Sequence, residues 1–199
     1  QALNYMVFVE LVKMRRVRSY LAAAGCIVLL SVTSAAAHPH MWVDLESRVV
    51  LNDKGQATEI QQVWLFDDFF STAVIEDADL HPDGASAGIQ EEIDRIVNTL
   101  KPYNYFTLIK HGARTLPLTF VGDVSWEVIE NRIQMTFTVS IDNYIEVETQ
   151  NFSYAIFDPT YYVEMAHLEG ATIKIEGEAA EDCNSWIEQP NPSSDAIAL

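Results

Sequence analysis

Two histidines stand two positions apart in the segment 35–44, which reads AAAHPHMWVD. In an extended strand, residues i and i+2 project to the same face, so His38 and His40 can reach one metal ion together. Imidazole nitrogen suits zinc, copper and nickel, and the affinity order of divalent ions alone favours copper. The spacing predicts a transition-metal site, and the alternative is that both histidines are solvated surface residues.

The residues before His38 add a third nitrogen to this pair. Positions 35–37 follow the small-x-small pattern that signal peptidase recognises. A cut after Ala37 makes His38 the N-terminal residue, whose free amine chelates together with its own ring, whereas a cut after Ala36 leaves Ala37 ahead of it. Two imidazoles and an amine resemble the histidine brace of copper oxygenases and some copper carriers. The amino-terminal copper and nickel motif is excluded, because it needs a deprotonated amide where Pro39 has none.

Other side chains with metal-binding or acid–base chemistry are ambiguous from sequence. Asp158 and His167 are candidates to complete a metal site, although a satisfied structural role is the stronger expectation for each. Asp67 and Asp68 are compatible with a carboxylate pair for acid–base chemistry. They also suit the start of a helix, where the helix dipole favours aspartate. We expect the helix explanation to hold for at least one of them.

The loop 79–90 follows the EF-hand pattern only in part. Its first half carries acidic residues and a glycine at calcium-loop positions, but position twelve is Gln90, where a bidentate glutamate is required. We therefore expect a turn that leads into a helix rather than a calcium site.

The first 37 residues are expected to direct export. Residues 14–18 form a positively charged region, and residues 20–32 form an apolar run of 13 residues. That run is shorter than the roughly 18 residues needed to span a bilayer. We expect a periplasmic protein with a cleaved signal and no direct membrane insertion after cleavage. Loss of residues 1–37 leaves Cys183 as the only thiol, so no internal disulfide is expected, and a buried cysteine is the expected role.

The remainder of the chain is strongly acidic. Residues 38–199 carry eight basic and 28 acidic residues, a net charge of −20. Such a surface repels nucleic acid and anionic lipid, and it attracts cations and basic partners. The same acidity also serves simply to keep an exported protein in solution. We expect no nucleic-acid partner, and charge alone does not name a function.

The hydrophobic pattern predicts many strands and two helices. Alternation with a period near two predicts a hairpin of strands 42–51 and 58–64. Helical patterns follow over 65–78 and 89–100 and form a two-helix insertion. β-branched and aromatic residues predict six further strands, at 105–109, 116–126, 132–141, 152–157, 163–166 and 172–175.

These elements favour a β-rich α+β single domain over alternating βαβ units. The sheets are expected to be antiparallel and sandwich-like, with the helices inserted between strands. We expect upstream residues and a signal peptide over 1–37, the β-rich periplasmic domain over 38–188, and a disordered tail over 189–199.

Five segments of the chain together resemble domain-of-unknown-function family 1007. They read AHPHMWVD at 37–44, WLFDDFFS at 64–71, PDG at 82–84, YNYF at 103–106 and FDPTYY at 157–162. Bacterial members of that family are commonly labelled the periplasmic component of an uncharacterised ABC-type transport system. Relatives often resemble companions of nickel/cobalt-type or other metal transporters. The resemblance implies periplasmic metal handling, with a membrane metal transporter as partner.

Three functions are compatible with these observations. The leading hypothesis is a non-enzymatic periplasmic accessory protein that captures or delivers a transition metal, zinc or copper before nickel or cobalt, for a membrane transporter. His38 and His40 would be its primary ligands. The second is a copper-dependent oxidative enzyme with an N-terminal histidine brace. The third is a non-metal protein-interaction module in which Tyr161, Tyr162 and the acidic surface face a protein partner.

Overall fold

A long hairpin of two eleven-residue strands forms the centre of the fold, β1 (Met41–Leu51) and β2 (Gln56–Phe66). The computed structural model describes residues 40–146, 151–168 and 170–188, and for residues 144–146 it describes the backbone alone. The hairpin turn is closed by Asn52, whose Oδ1 accepts the backbone N–H groups of Lys54 and Gln56. An Asn side chain in a turn commonly bonds to backbone groups in this way.

The hairpin lies inside a six-stranded sheet. β5 (Leu118–Ile129) and β6 (Arg132–Glu146) extend it on the β2 side, and all these pairings are antiparallel. On the other side, β8 (Val163–His167) pairs with the first half of β1 and β9 (Lys174–Glu176) with its second half. Both of these short strands run parallel to β1. The order along the sheet is β5-β6-β2-β1-β8, with β9 also on β1.

A second sheet of three strands packs against the first. β3 (Thr107–His111) lies between β4 (Arg114–Leu116) and β7 (Phe152–Ile156), and both pairings are antiparallel. Buried Ile109 and Leu116 of this small sheet belong to the same hydrophobic cluster as the large sheet. The two sheets therefore share one core.

Two helices connect β2 to the small sheet, α1 (Asp68–Ala78) and α2 (Ala85–Leu100), and a 3-10 turn follows at Lys101–Phe106. Apolar residues at helical spacing on α2 are buried, namely Ile89, Ile93 and Leu100. Gly88 lets the two helices approach closely, because a Cβ at this position would lie 2.7 Å from the Cα of Ala78.

The burial of β1 alternates between the two faces of the large sheet. Alternate β1 residues such as Val43 and Leu45 are buried in the core, where Trp64 packs edge-on against Phe137 with ring centroids 5.2 Å apart. The residues between them point to the opposite face and are exposed or half-buried. We call this side the open face; on β1 it comprises Trp42, Asp44, Glu46, Arg48 and Val50.

A buried polar network joins the two sheets. The Nε2 group of Gln62 donates to Thr107 Oγ1 at 2.6 Å, and its Oε1 accepts from Trp64 Nε1 at 3.0 Å. Thr107 Oγ1 in turn donates to the carbonyl of Tyr105. Within the described ranges, no buried side-chain nitrogen or oxygen lacks a hydrogen-bond partner. The network satisfies the rule that polar groups in a core must be paired.

The predicted fold class is confirmed: a β-rich single domain of sandwiched sheets with a two-helix insertion. Strand β2 continues to Phe66, so α1 begins later than predicted, and α2 begins at Ala85, four residues earlier than predicted. The single strand predicted over 116–126 is divided at Pro117, which has no N–H to donate to a ladder. The predicted signal peptide, residues 1–37, and the predicted tail, residues 189–199, lie outside the described residues.

The two helices of the described ranges were compared with the requirements for crossing a membrane. Neither α1 nor α2 combines the length and the apolar character that a membrane-crossing helix needs.

Candidate functional site

The start of β1 is attached to the end of β2 by Asp67. Its backbone N–H donates to the carbonyl of Trp42, and its Oδ2 accepts the N–H of Trp42 at 2.9 Å. The other oxygen, Oδ1, accepts the N–H of Phe70 at 2.9 Å and so caps α1. One side chain therefore closes the strand pair and starts the helix, which confirms the helix explanation for Asp67.

A second aspartate organises the loop 158–163 on the other side of β1. The carboxylate of Asp158 is 4% exposed as a residue and accepts the backbone N–H groups of Thr160, Tyr162 and Val163 at 2.8, 3.0 and 2.9 Å. It also accepts the Thr160 hydroxyl at 2.7 Å. Both oxygens of Asp158 therefore accept hydrogen bonds inside the loop. This is a structural role, the one that the sequence favoured over metal binding.

The ionisation of Asp158 follows from these contacts. Burial acts to raise its pKa, because it disfavours the charged form. The hydrogen bonds from Thr160, Val163 and Tyr162 oppose burial and together hold the pKa below its ordinary value of 3.8. The side chain is therefore a carboxylate at neutral pH, and its charge is stabilised by the loop that it shapes.

His40 lies between these two aspartate-organised turns. Its backbone N–H donates to the carbonyl of Tyr162 at 3.0 Å, and the two rings have centroids 4.9 Å apart. The residue is exposed and precedes Trp42, which belongs to the open face. The backbone of this candidate ligand is thus fixed by the loop, and one side of its ring contacts Tyr162. His38, the other primary candidate, lies outside the described residues.

His167 lies at the far end of the β1–β8 pairing. It is in register with Leu45, five positions from the His40–Tyr162 contact, which corresponds to about 16 Å along a strand. The side chain is half-buried, and burial lowers its pKa below 6.5; the hydrogen bond to the Leu45 backbone and the charge of Glu46 act in the opposite direction. The structure does not bring His167 together with His40.

The described residues contain no preassembled cluster of metal ligands. Within residues 40–146, 151–168 and 170–188, no group of three or more His, Cys, Asp or Glu side chains is arranged to hold an ion. The described candidates His40, Asp158 and His167 are therefore not members of such a cluster.

The remaining sequence candidates have ordinary structural surroundings. The loop after α1 forms a turn that leads into α2, as expected, and His81 Nδ1 accepts the N–H of Asp83 within it. Cys183 is half-buried, contacts the edge of the core and donates from Sγ to the carbonyl of Ala179 at 3.5 Å.

Arg132 ties the neighbouring strands together beside the site. Its guanidinium donates to the carbonyls of Phe66 and Leu65 and lies 2.8 Å from Asp44 Oδ2. The Nε atom is also 3.7 Å from Asp68 Oδ1. Its charge is therefore matched by carboxylates and main-chain oxygens at the start of β6.

Exposed aromatic side chains gather around this end of the sheet. We call the following four residues the aromatic end: Trp42, Phe69, Tyr161 and Tyr162, exposed by 50%, 83%, 75% and 50%. The sequence pointed to the two tyrosines but not to Trp42 or Phe69. The available signal was the position of Trp42 two residues after His40, which places both on the same face of a strand.

Contacts join four of the five sequence segments that carry the family resemblance. These contacts connect Trp42 to Asp67, His40 to Tyr162, and Phe106 to Phe157, the last by a backbone hydrogen bond of 2.9 Å. A cleft of ≈ 420 Å³ lies elsewhere, between α2 and β5, and its lining includes Gln90, Asp94 and Asp123. None of its described lining residues belongs to the five segments. Three of the distinctive segments, 37–44, 64–71 and 157–162, thus meet at the start of β1.

Comparison with known proteins supports the family resemblance over most of the chain. The family model described as "Protein of unknown function (DUF1007)" matches residues 23–198. A protein of Haemophilus influenzae described as "Uncharacterized protein" is 23% identical over 158 residues, which cover 78% of this chain and 74% of that protein. No solved structure matches the chain significantly.

Proposed function

The chain belongs to the DUF1007 family, and from this membership and the exposure of His40 we propose that it is a periplasmic accessory protein that captures or delivers a transition-metal ion for a membrane transporter. The ion is the cargo of such a protein. Zinc and copper are the first candidates, followed by nickel and cobalt, because all four accept imidazole ligands.

The observation that carries this proposal is the fixed backbone of His40 together with the exposure of the residue. Its N–H is bonded to Tyr162, whose own loop is held by Asp158. A ligand on a fixed strand end loses little conformational freedom when it binds an ion. An exposed residue also suits transfer of an ion to a partner, since a closed site would have to open first.

The further ligands in this proposal come from the segment before β1. His38 is two positions from His40, a spacing that places two side chains on one face of an extended chain. A chain that begins at His38 also supplies its terminal amine. The excess of acidic residues over 38–199, 28 against eight basic ones, favours the approach of cations.

The test is metal content together with intact mass. The protein is expressed with its own N-terminal segment, carries no tag before His38, and is recovered from the periplasm. We expect one equivalent of metal on a chain that starts at His38. His40→Ala should lose that metal, whereas the matched control His111→Ala, on the small sheet, should retain it.

Two outcomes would contradict the proposal. A metal-free chain that also takes up no zinc, copper, nickel or cobalt would exclude metal capture. Reductant-dependent peroxide production by the copper-loaded chain, abolished by one extra residue before His38, would indicate an oxidative enzyme instead of a carrier.

A further inference from the structure

The aromatic end is a concentrated apolar patch on an otherwise acidic protein. Single exposed apolar residues are normal on protein surfaces, but clusters of large ones mark interaction sites. Phe69 follows the turn of Asp67 on one side of β1, and Tyr161 lies in the loop on its other side. The two strands that flank β1 are separated by about 10 Å, so these residues stand around one strand end.

The frame beneath these aromatic residues is held by hydrogen bonds. Asp67 bonds to the backbone of Trp42 and to that of Phe70, the residue after Phe69. On the other side, the N–H of Tyr161 donates to the carbonyl of Asp158, and the N–H of Tyr162 donates to its carboxylate. Aromatic side chains on a fixed backbone lose little entropy on binding and are the residues that dominate binding energy at interfaces.

Charge indicates what this patch would bind. Glu164 is exposed and in register with Trp42, and Asp68 is an exposed carboxylate next to Phe69. The neighbouring cation, Arg132, lies 2.8 Å from Asp44 and 3.7 Å from Asp68, so one positive charge is set against the three carboxylates Asp44, Asp68 and Glu164. The surroundings of the aromatic end are therefore negative. That charge disfavours a second copy of this acidic chain and an anionic lipid surface, and it favours a basic ligand.

We infer that the aromatic end docks a segment of a protein partner in which lysine or arginine stands beside apolar residues. The aromatic rings would receive the apolar residues and the stems of the basic side chains, with cation–π contact to the charged groups. Glu164 and Asp68 would pair with those groups at the rim. This inference goes beyond metal capture and does not depend on it, since none of the four aromatic residues is a proposed ligand.

The test is selection of peptides on the folded protein. A random dodecapeptide display library is selected on the wild-type chain and counter-selected on a Phe69→Ser/Tyr161→Ser variant. We expect the enriched sequences to carry lysine or arginine beside aliphatic or aromatic residues. A synthetic peptide of the enriched sequence should bind the wild type about tenfold or more tightly than the variant, and added salt should weaken binding.

A matched variant distinguishes specific binding at this surface from non-specific binding to exposed apolar residues. Leu80→Ser/Val121→Ser removes two other exposed apolar residues and should leave peptide binding unchanged. Enrichment of sequences without basic residues, or equal binding to both double variants, would overturn the inference. Dimerisation or binding to anionic vesicles that is lost in Phe69→Ser/Tyr161→Ser would overturn it in favour of those occupants. The metal content of the same variants should equal that of the wild type. Failure of the peptide-docking inference is therefore distinguishable from failure of the metal-capture proposal.

Discussion

Asp67 and Asp158 show how single carboxylates position a strand end. Each accepts backbone N–H groups from more than one residue, and each does so beside His40. For Asp158, these bonds hold the pKa below its ordinary value and so stabilise the charged form. Both residues use their side-chain oxygens for folding, so the geometry around His40 depends on side chains that are not themselves metal ligands in our proposal.

Replacing Asp158 should reveal its role through pH. Asp158→Asn keeps one acceptor oxygen but replaces the other with an NH₂ group, which faces backbone N–H donors and cannot accept from them. We therefore expect the free energy of unfolding to fall by about 1–3 kcal/mol at pH 7. The folded pKa lies below 3.8, so the charge contributes stability above that pH, and the contribution disappears as the pH falls through the folded pKa.

Urea unfolding of the wild type and the Asp158→Asn variant at neutral and acidic pH measures this effect. The difference between them should shrink as the pH is lowered. Asp83→Asn, at an exposed loop position, is the control and should change stability little at either pH. A difference that stays constant with pH would show that the charge of Asp158 is unimportant.

His167 should make the protein less stable in mild acid. Burial lowers its folded pKa below 6.5, so the unfolded chain binds more protons than the folded one as the pH falls through 6.5. The wild type should therefore lose more stability between pH 8 and the folded pKa than His167→Gln does. Urea midpoints across this range, with His111→Gln as the control, measure the difference, and parallel curves for wild type and His167→Gln would contradict the expectation.

At the scale of elements, the cap of α1 should matter more than the charge beside it. Asp67→Ala removes the acceptor for Phe70 and also the tether to Trp42, so we expect a loss of at least about 0.5–2 kcal/mol. Asp68→Ala, one residue later and exposed, should cost within about 0.5 kcal/mol. Thermal and urea unfolding of the two variants test this order, and equal losses would show that the cap is not decisive.

Periodicity in the sequence predicted most of the elements, because burial on one face imposes a readable pattern. The hairpin and the buried stripe of α2 at Ile89 and Ile93 are direct examples. Pairing partners were not predictable in the same way. A five-residue strand such as β8 carries no local record of whether it pairs parallel or antiparallel, or with which strand, so its place beside β1 follows only from the folded chain.

The candidate site was predictable only where its residues are close in sequence. His38 and His40 were found by spacing, but the separation of His167 from His40 depends on the register of β8 against β1. The role of Asp158 did have a local signal, the run Asp158-Pro159-Thr160, since Asp before Pro favours turn initiation. The contact between His40 and Tyr162 had none.

At the scale of the whole molecule, Gln62 connects the two sheets through a buried hydrogen-bond network. Gln62→Leu would leave the buried Trp64 indole N–H without its acceptor, and Thr107 Oγ1 would lose the N–H donor from Gln62 but keep its own hydrogen bond to the Tyr105 carbonyl. An orphaned buried donor costs roughly 1–3 kcal/mol, so we expect this variant to lose stability by about that amount. Urea unfolding measures the loss, and Gln134→Leu, on the exposed side of β6, is the matched control. Similar losses in both variants would contradict a special role for the network.

The parallel pairing of β1 with β8 has a consequence for biosynthesis. Met41 pairs with Val163, and Arg48 pairs with Lys174, so the first strand of the described residues receives its outer neighbours from segments more than 100 positions later. Closing such distant contacts is slow, and an unpaired strand edge invites wrong pairing until it is closed. Tyr162, whose carbonyl fixes His40, belongs to that same late segment. A chain interrupted before residue 158 would contain His40 but not its anchor, so the surface around His40 forms only after residues 158–163 have been synthesised and have met β1.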